Sequence, residues 1–205
     1  IFEHISLKKN KGNTAGSAIL FLRKNHHLKI FGNEFVNLTA MYGGAIEIFQ
    51  SNSEAMVQHN NFTNCKAWKN GGGIVVNDLN HAMNFSSNLF HNCSANNSIG
   101  AMAFTMSNYD ILIADSNFSH CHARTVAGAI YVGNSNYNFT LDKLLFDFCS
   151  SGLRAGSIYV STNNSNIVIN NTKIINSRSY QYGGGMVLGS ENTNINVTYC
   201  AFICL

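Results

Sequence analysis

Residues 128–155 read GAIYVGNSNYNFTLDKLLFDFCSSGLRA and form one complete unit of a repeat that runs through the chain. Short runs of alternating polarity are separated by Gly, Asn and Ser, a pattern typical of short strands joined by turns. The glycine that opens the stretch recurs every 28 residues, at Gly44, Gly72, Gly100, Gly128, Gly156 and Gly184. A fixed period of this length indicates a solenoid built from one repeated unit.

Three further columns of identical residues keep the same period. They are Phe62, Phe90, Phe118 and Phe146; Cys65, Cys93, Cys121 and Cys149; and Asn52, Asn80, Asn108, Asn136, Asn164 and Asn192. We expect equivalent residues to stack above one another, because a unit this small buries its apolar face only against its neighbours. The sequence therefore predicts a right-handed single-stranded parallel β-helix of about seven coils, with three short strands in each. We expect a single domain over residues 1–205, since no linker interrupts the pattern.

Two of the columns have an expected conformational role. The periodic glycine is followed by a small residue, which indicates a tight corner where glycine also permits a positive φ. Asparagine tolerates the left-handed backbone region, so we expect the stacked asparagines to occupy left-handed turn positions. Their side-chain amides are then placed to form hydrogen bonds along the stack.

The first coil departs from the period by one residue. Phe35 precedes Phe62 by 27 residues, and Ser17 precedes Gly44 by the same interval. The sequence therefore predicts that one turn near residues 21–33 is a residue shorter than its counterparts.

Composition limits the classes of partner. The formal net charge is +3 and charged residues make up 11% of the chain, which is too mild for a nucleic-acid-binding footprint. The sequence contains no run of 18 apolar residues that would predict a transmembrane helix in this stretch, and no signal peptide is recognisable. The repeat begins in the middle of a unit and continues to the last residue without a polar cap. Since solenoids need caps, we expect a segment of a longer chain with uncapped ends, or ends that partners cover.

Ten asparagines lie in Asn-x-Ser/Thr sequons, the acceptor sequence for N-glycosylation. They are Asn37, Asn61, Asn84, Asn92, Asn96, Asn117, Asn138, Asn163, Asn170 and Asn196. Several precede an inward residue of the repeat, so their side chains are expected to face solvent. One interpretation is a secreted or cell-surface glycoprotein; the other is that an Asn- and Ser-rich composition produces sequons by chance.

The stacked cysteines have two possible states. Adjacent coils bring their Cα atoms within disulfide range, but parallel Cβ vectors are poor geometry for a bridge. We favour buried reduced thiols that pack as small hydrophobes, with bridged pairs as the alternative. His120-Cys121-His122 does not predict a metal site, because alternation sends the cysteine inward and the histidines outward.

The outward positions contain no recognisable catalytic or cofactor-binding group. The column Thr63, His91, Ser119 and Asp147 holds the residue types of a nucleophilic triad, but Ser119 separates the histidine from the carboxylate that has to orient it. The acidic residues are scattered and do not form the pair that a glycosidase needs. A better candidate for ligand contact is the pair Tyr131 and Tyr159, which we expect to face outward on adjacent coils; strand propensity alone is the alternative explanation.

The segments NEFVNLTAMYGGAIEI (33–48), NNFTNCKAWKNGGGIVV (60–76) and SNFSHCHARTVAGAIYV (116–132) resemble the Gly-Gly-Ala-Ile and Phe-x-x-Asn repeats of the chlamydial polymorphic outer membrane proteins. They are also similar to related repeats in protist surface proteins. Gly43 to Ile46 matches the first motif in full, whereas Cys65 stands where the second motif usually has Asn. The resemblance implies a right-handed β-helix that is exposed on a cell surface and acts in adhesion.

Three functions follow as hypotheses. The first is a non-enzymatic extracellular or cell-surface β-helix, adhesin-like or structural, whose partners are a host or matrix protein or a glycan. The second is a carbohydrate-active enzyme or carbohydrate-binding module of the pectin-lyase-like fold. The third is a self-assembling filament subunit, because uncapped coil ends can pair with further copies end to end.

Overall fold

The chain forms a parallel β-helix in the computed structural model, which describes residues 1–4, 6–8 and 16–204. Over these residues there are 29 strands and no helix. Each strand pairs in parallel with the equivalent strand of the next coil, and the result is four sheets that run the length of about seven coils. The predicted fold class is confirmed. The predicted domain bounds include residues 5, 9–15 and 205, which lie outside the described residues.

The four sheets are numbered here by the order in which a coil visits them. Sheet 1 follows the periodic glycine and contains Ile19–Arg23, Ile46–Gln50, Ile74–Val76, Met102–Met106, Ile130–Asn134, Ile158–Val160 and Met186–Leu188. Sheet 2 contains Phe2–Glu3, Lys29–Phe31, Met56–Gln58, His81–Ser86, Tyr109–Ala114, Tyr137–Asp142, Ser165–Asn170 and Thr193–Thr198. Sheet 3 contains Ser6–Lys8, Glu34–Val36, Asn61–Thr63, Leu89–His91, Asn117–Ser119, Leu145–Asp147, Lys173–Ile175 and Ala201–Ile203. Sheet 4 contains Thr39–Tyr42, Lys66–Asn70, Ser94–Ala95, His122–Ala123, Ser150–Ser151 and Arg178–Ser179.

A complete coil therefore has four strands, where the sequence predicts three. In the unit of residues 128–155 the additional strand is Ser150–Ser151, whose composition indicates a turn. Ser151 points inward and is buried, and its counterpart Ala123 is buried in the same way. A two-residue strand has one inward residue, so period-2 alternation cannot reveal it.

The interior is one continuous apolar core, and the phenylalanine column forms its clearest stack. Phe62 and Phe90 have ring centroids 4.6 Å apart, and Phe90 and Phe118 follow at 4.8 Å. The rings are within 3° of parallel in both pairs. Phe146 continues the stack at 4.9 Å. These centroid distances match the spacing between adjacent strands, so the prediction that equivalent residues lie above one another is confirmed.

The glycine column is required by contact between coils and not by a positive φ. Gly44, Gly72, Gly100, Gly128, Gly156 and Gly184 are all outside the left-handed region. A Cβ atom on Gly100 would lie 1.8 Å from the carbonyl oxygen of Gly128, and Gly128 has the same relation to Gly156 at 1.9 Å. The corners of successive coils are thus stacked too closely for any side chain.

The asparagine column forms a buried ladder of amides. Within it, Asn52 donates from its backbone N–H and from Nδ2 to Oδ1 of Asn80, at 2.8 and 3.1 Å. The expected left-handed conformation falls instead on the preceding residue, for example Leu79 with φ 59° and Ser107 with φ 53°. The side chain of this turn residue points away from the ladder. The asparagine side chain can therefore accept a hydrogen bond from the backbone N–H of the preceding coil. A second buried ladder, which sequence analysis missed, runs through Asn33, Asn60 and Asn88.

The one-residue slip is present, but not in the predicted turn. Ile19 pairs with Ile46 and Phe35 with Phe62, which confirms the 27-residue offset. The offset changes to 28 between the pairs Ala40–Ala67 and Tyr42–Asn70. The additional residue therefore lies in the strand Lys66–Asn70 as an irregularity of sheet 4, because a bulge absorbs one residue without breaking the ladder on either side.

Candidate functional surface

The ten sequon asparagines all reach the outer surface of the β-helix. Six of their side chains are exposed and four are half-buried: Asn37, Asn92, Asn117, Asn138, Asn163 and Asn196, followed by Asn61, Asn84, Asn96 and Asn170. The eight asparagines that are buried in the described part of the chain all lie outside sequons. The predicted orientation of Asn61, Asn92 and Asn117 is confirmed.

Sequons that share a column are never on adjacent coils. Asn61 pairs with Leu89, and Leu89 pairs with Asn117, so these two sequons are two coils apart. Asn64 lies between Asn37 and Asn92 in the same way. Its Nδ2 donates to Asn37 Oδ1 at 3.1 Å, and its Oδ1 accepts from Asn92 Nδ2 at 2.8 Å. Two coils correspond to about 9.5 Å, which leaves room for a sugar residue on each asparagine.

A shallow groove of about 420 Å³ runs along the outer face of sheet 3. We call it the sequon groove and define it by two neighbouring columns of outward side chains. The columns are Asn61, Leu89, Asn117 and Leu145, and Thr63, His91, Ser119 and Asp147. One side of the groove is thus amide and aliphatic, and the other is hydroxyl, imidazole and carboxylate.

The second of these columns places a histidine beside a hydroxyl. His91 Nδ1 lies 2.9 Å from the Ser119 Oγ, and both side chains are accessible from outside. Asp147 pairs with Ser119 and not with His91, because it is one coil further along. The register therefore keeps the carboxylate two coils from the imidazole, about 9.5 Å, and a triad is not assembled.

The expected tyrosine pair is only partly open. Tyr131 and Tyr159 are on adjacent strands of sheet 1 with ring centroids 5.7 Å apart, but Tyr159 is 6% exposed. Its hydroxyl accepts a hydrogen bond from Arg154 at 3.1 Å, and its ring packs with Ala127 and Ala155. Both tyrosines point outward as predicted, but Tyr159 is covered, so the pair is not an open face for a ligand. Sheet 1 carries a second apolar layer on its outer face, formed by the segment that leads into each periodic glycine.

Sheet 2 carries an aromatic stack that is more accessible. The rings of His81, Tyr109 and Tyr137 are stacked with centroid distances of 4.6 and 4.8 Å and interplanar angles of 2° and 1°. Tyr137 is 40% exposed. On the next strand the position belongs to Ser165, so one face of the Tyr137 ring is left without an aromatic neighbour. The 28-residue interval between Tyr109 and Tyr137 is the signal by which the sequence reveals this stack.

A ladder of exposed polar side chains runs beside the aromatic stack. Asn138 Nδ2 donates to Asp110 Oδ1 at 2.9 Å, and Asn166 Nδ2 donates to Asn138 Oδ1 at 3.0 Å. All three residues have φ near +55°. Aromatic rings next to amide and carboxylate groups form the kind of surface that binds sugars or polar protein segments.

One carboxylate is buried in this outer layer, which sequence analysis did not anticipate. Glu47 is on the outer face of sheet 1, and its Oε1 accepts a hydrogen bond from Asn77 Nδ2 at 2.7 Å. Its Oε2 has no hydrogen-bond partner among the described residues. Burial raises the pKa of the Glu47 carboxyl, and hydrogen bonding from the Asn77 side chain and the Gly16 backbone opposes this in part.

The six cysteines are free thiols. Cys65, Cys93, Cys121 and Cys149 are fully buried, and each Sγ lies within reach of a carbonyl oxygen of the preceding coil, as in Cys93 to Phe62 at 3.5 Å. Burial raises the pKa of the Cys93 and Cys149 thiols, which keeps them protonated and unreactive. The preference for reduced, packed thiols agrees with this arrangement. Cys121 points inward and His120 and His122 outward, as predicted.

Two further features concern the described residues alone. Over 1–4, 6–8 and 16–204, the His, Cys, Asp and Glu side chains do not form a group of three that could hold a metal ion. Within the same residues there is no helix long and apolar enough to span a bilayer. Comparisons of the chain with protein-family models, with curated proteins and with solved structures find no match.

Proposed function

We propose that this chain belongs to a non-enzymatic extracellular or cell-surface protein, in which the β-helix serves as an adhesin-like or structural scaffold and carries N-linked glycans. The fold supports a scaffold role, because stacked coils make a rigid rod whose outer faces are flat and regularly spaced. Function nevertheless resides in the side chains on those faces and not in the fold.

The observation that carries the proposal is the placement of the sequons. All ten reach the surface, and those that share a column are at least two coils apart, as Asn61 and Asn117 are. Each asparagine can therefore carry a glycan that extends into solvent, and glycans that share a column are separated by about two coils. The resemblance to the chlamydial repeats and their protist relatives supports the same surface location, with a host or matrix protein or a glycan as partner.

The stack of His81, Tyr109 and Tyr137 is the contact surface that we assign to such a partner. Aromatic side chains contribute strongly to interfaces because they bury a large area at a low cost in conformational entropy. Tyr137 is 40% exposed and lies beside the polar ladder of Asp110 and Asn138. An apolar ring next to hydrogen-bonding groups suits a partner that offers both.

Two measurements test the proposal. Glycopeptide mass spectrometry of the protein from its native source or a glycosylating host should find sugar on the sequon asparagines. Beads coated with the protein should adhere to cells or matrix, and Tyr137→Ser should reduce this adhesion several-fold without changing the melting temperature by more than ~3 °C. Absence of sugar from all ten sites, or release of products from a panel of polysaccharides, would contradict the proposal.

A further inference from the structure

The sequon groove has features of a site that the chain's own glycans fill. Leu89 is 47% exposed and lies between Asn61 and Asn117, its paired residues on the two adjacent coils. A large apolar side chain that stays exposed between two acceptor asparagines is costly in the bare protein, because it leaves apolar area in contact with water.

The two asparagines are prepared for attachment at nitrogen. In a strand, residues i and i+2 share a face, so each sequon places its hydroxyl beside its own amide. The Thr63 hydroxyl donates to Asn61 Oδ1 at 3.2 Å, which turns the amide nitrogen away from Thr63. Neither Asn61 Nδ2 nor Asn117 Nδ2 donates a hydrogen bond to another described residue. At Asn92 and Asn138, by contrast, Nδ2 already donates to the neighbouring coil.

We propose that the innermost N-acetylglucosamine residues of glycans on Asn61 and Asn117 pack into the sequon groove, against Leu89 from its two sides. The inference rests on the proposed glycosylation. The oligosaccharide comes from a lipid-linked diphosphate donor: the bond between Nδ2 and the anomeric carbon forms, the bond from that carbon to the diphosphate breaks, and the amide nitrogen loses one proton.

The dimensions of the groove suit two such residues. The asparagines are about 9.5 Å apart along the column, and the groove encloses about 420 Å³. The C–H face and the acetyl methyl of each sugar cover the aliphatic side at Leu89, while the sugar hydroxyls face His91 and Ser119 on the polar side. Glycans at these two sites are therefore part of the packed surface and are not mobile appendages.

The test uses the full chain made in a host that performs N-glycosylation. The folded protein is treated with an amidase that cleaves between asparagine and the first sugar, and release at each site is followed by glycopeptide mass spectrometry. We expect release at Asn61 and Asn117 to be at least ten-fold slower than at Asn138 and Asn196, and the difference to vanish in unfolded protein.

A matched pair of variants identifies the packing contact. Leu89→Ala removes the side chain between the two glycans and should bring release at Asn61 and Asn117 close to the rate at Asn138. Leu112→Ala, at a half-buried outward position of sheet 2, should leave those rates unchanged. Equal release at all sites in the folded protein overturns the inference, and so does sugar at other sequons with none at Asn61 and Asn117. Absence of sugar from all ten sites contradicts the proposed function as well.

Discussion

Gly100→Ala should lower the stability of this β-helix far more than Gly184→Ala. The new Cβ at Gly100 would lie 1.8 Å from the Gly128 carbonyl oxygen. At Gly184 the nearest atom is the Ser177 carbonyl oxygen at 3.3 Å. Neither glycine has a positive φ, so the two substitutions differ in contact alone.

The cost at Gly100 follows from the hydrogen bonds that hold the two coils together. An ordinary contact of a Cβ atom is 3.4 Å or longer, so the coils must separate locally by more than ~1 Å. That movement breaks the bonds from Gly100 N–H to Ala127 O, at 2.9 Å, and from Ala101 N–H to Ala129 O, at 3.1 Å. The two lost bonds at about 1 kcal/mol each, with about 1 kcal/mol for the disturbed packing, amount to about 3 kcal/mol.

Thermal unfolding followed by the circular-dichroism signal of the sheets measures this difference. For a chain of this length about 3 kcal/mol corresponds to a fall in melting temperature of about 6–12 °C. Gly184→Ala should shift it by less than about 3 °C, since its contact needs only a few tenths of an ångström of adjustment. A similar fall for both variants, or none for Gly100→Ala, would refute the explanation of the glycine column by contact between coils.

Four other substitutions have expected outcomes. Glu47→Gln should stabilise the fold by about 1 kcal/mol at pH 7. Because the folded pKa of Glu47 is raised, its carboxyl favours folding below the unfolded pKa and loses that contribution as pH rises. The increase in urea midpoint that Glu47→Gln produces at pH 7 should therefore vanish near pH 4. Asn108→Ala should cost about 2–4 kcal/mol in urea unfolding, because it leaves the buried Asn80 N–H without its acceptor, whereas Asn166→Gly in the exposed ladder should cost less than about 1 kcal/mol. Phe148→Asn should raise the melting temperature, since Phe148 is 51% exposed and has φ 51°, a region that asparagine adopts at lower cost.

The 28-residue interval was sufficient to predict which residues stack, because parallel pairing converts an equal sequence step into contact between coils. The positions of Phe62 and Phe90, and of Cys65 and Cys93, followed directly. The interval does not reveal the conformation of each stacked residue. The interval places the glycines and asparagines correctly, but the left-handed conformation expected at both belongs to their neighbours, such as Leu79. Periodicity is the same for every column and carries no information about φ.

The outer surface was predicted less completely, because alternation indicates only whether a residue points out and not whether another segment covers it. Tyr159 and Glu47 both point outward and are nevertheless buried, since the segments that precede the glycine corners fold over sheet 1. Sheets 2 and 3 have no such cover at Tyr137 and Leu89. The path of the segments between strands, which alternation does not predict, therefore limits the candidate surface to sheets 2 and 3.

The fold also determines which part of the sequon pattern bears on glycosylation. The residue two positions after each asparagine of the buried ladder from Asn52 to Asn192 has φ of 53–55°. That region favours Asn and Asp and is poor for threonine, so the backbone disfavours Asn-x-Thr on the buried ladder, whereas serine adopts the same region at Ser51 and Ser107. The backbone does not explain the two-coil spacing of Asn61 and Asn117. The same column accepts Leu89 between them and Lys173 further along. A polar residue could stand at position 89, yet an exposed leucine does. Protection of the two flanking glycans is thus the measurement that separates a built glycosylation site from sequons that arise by composition.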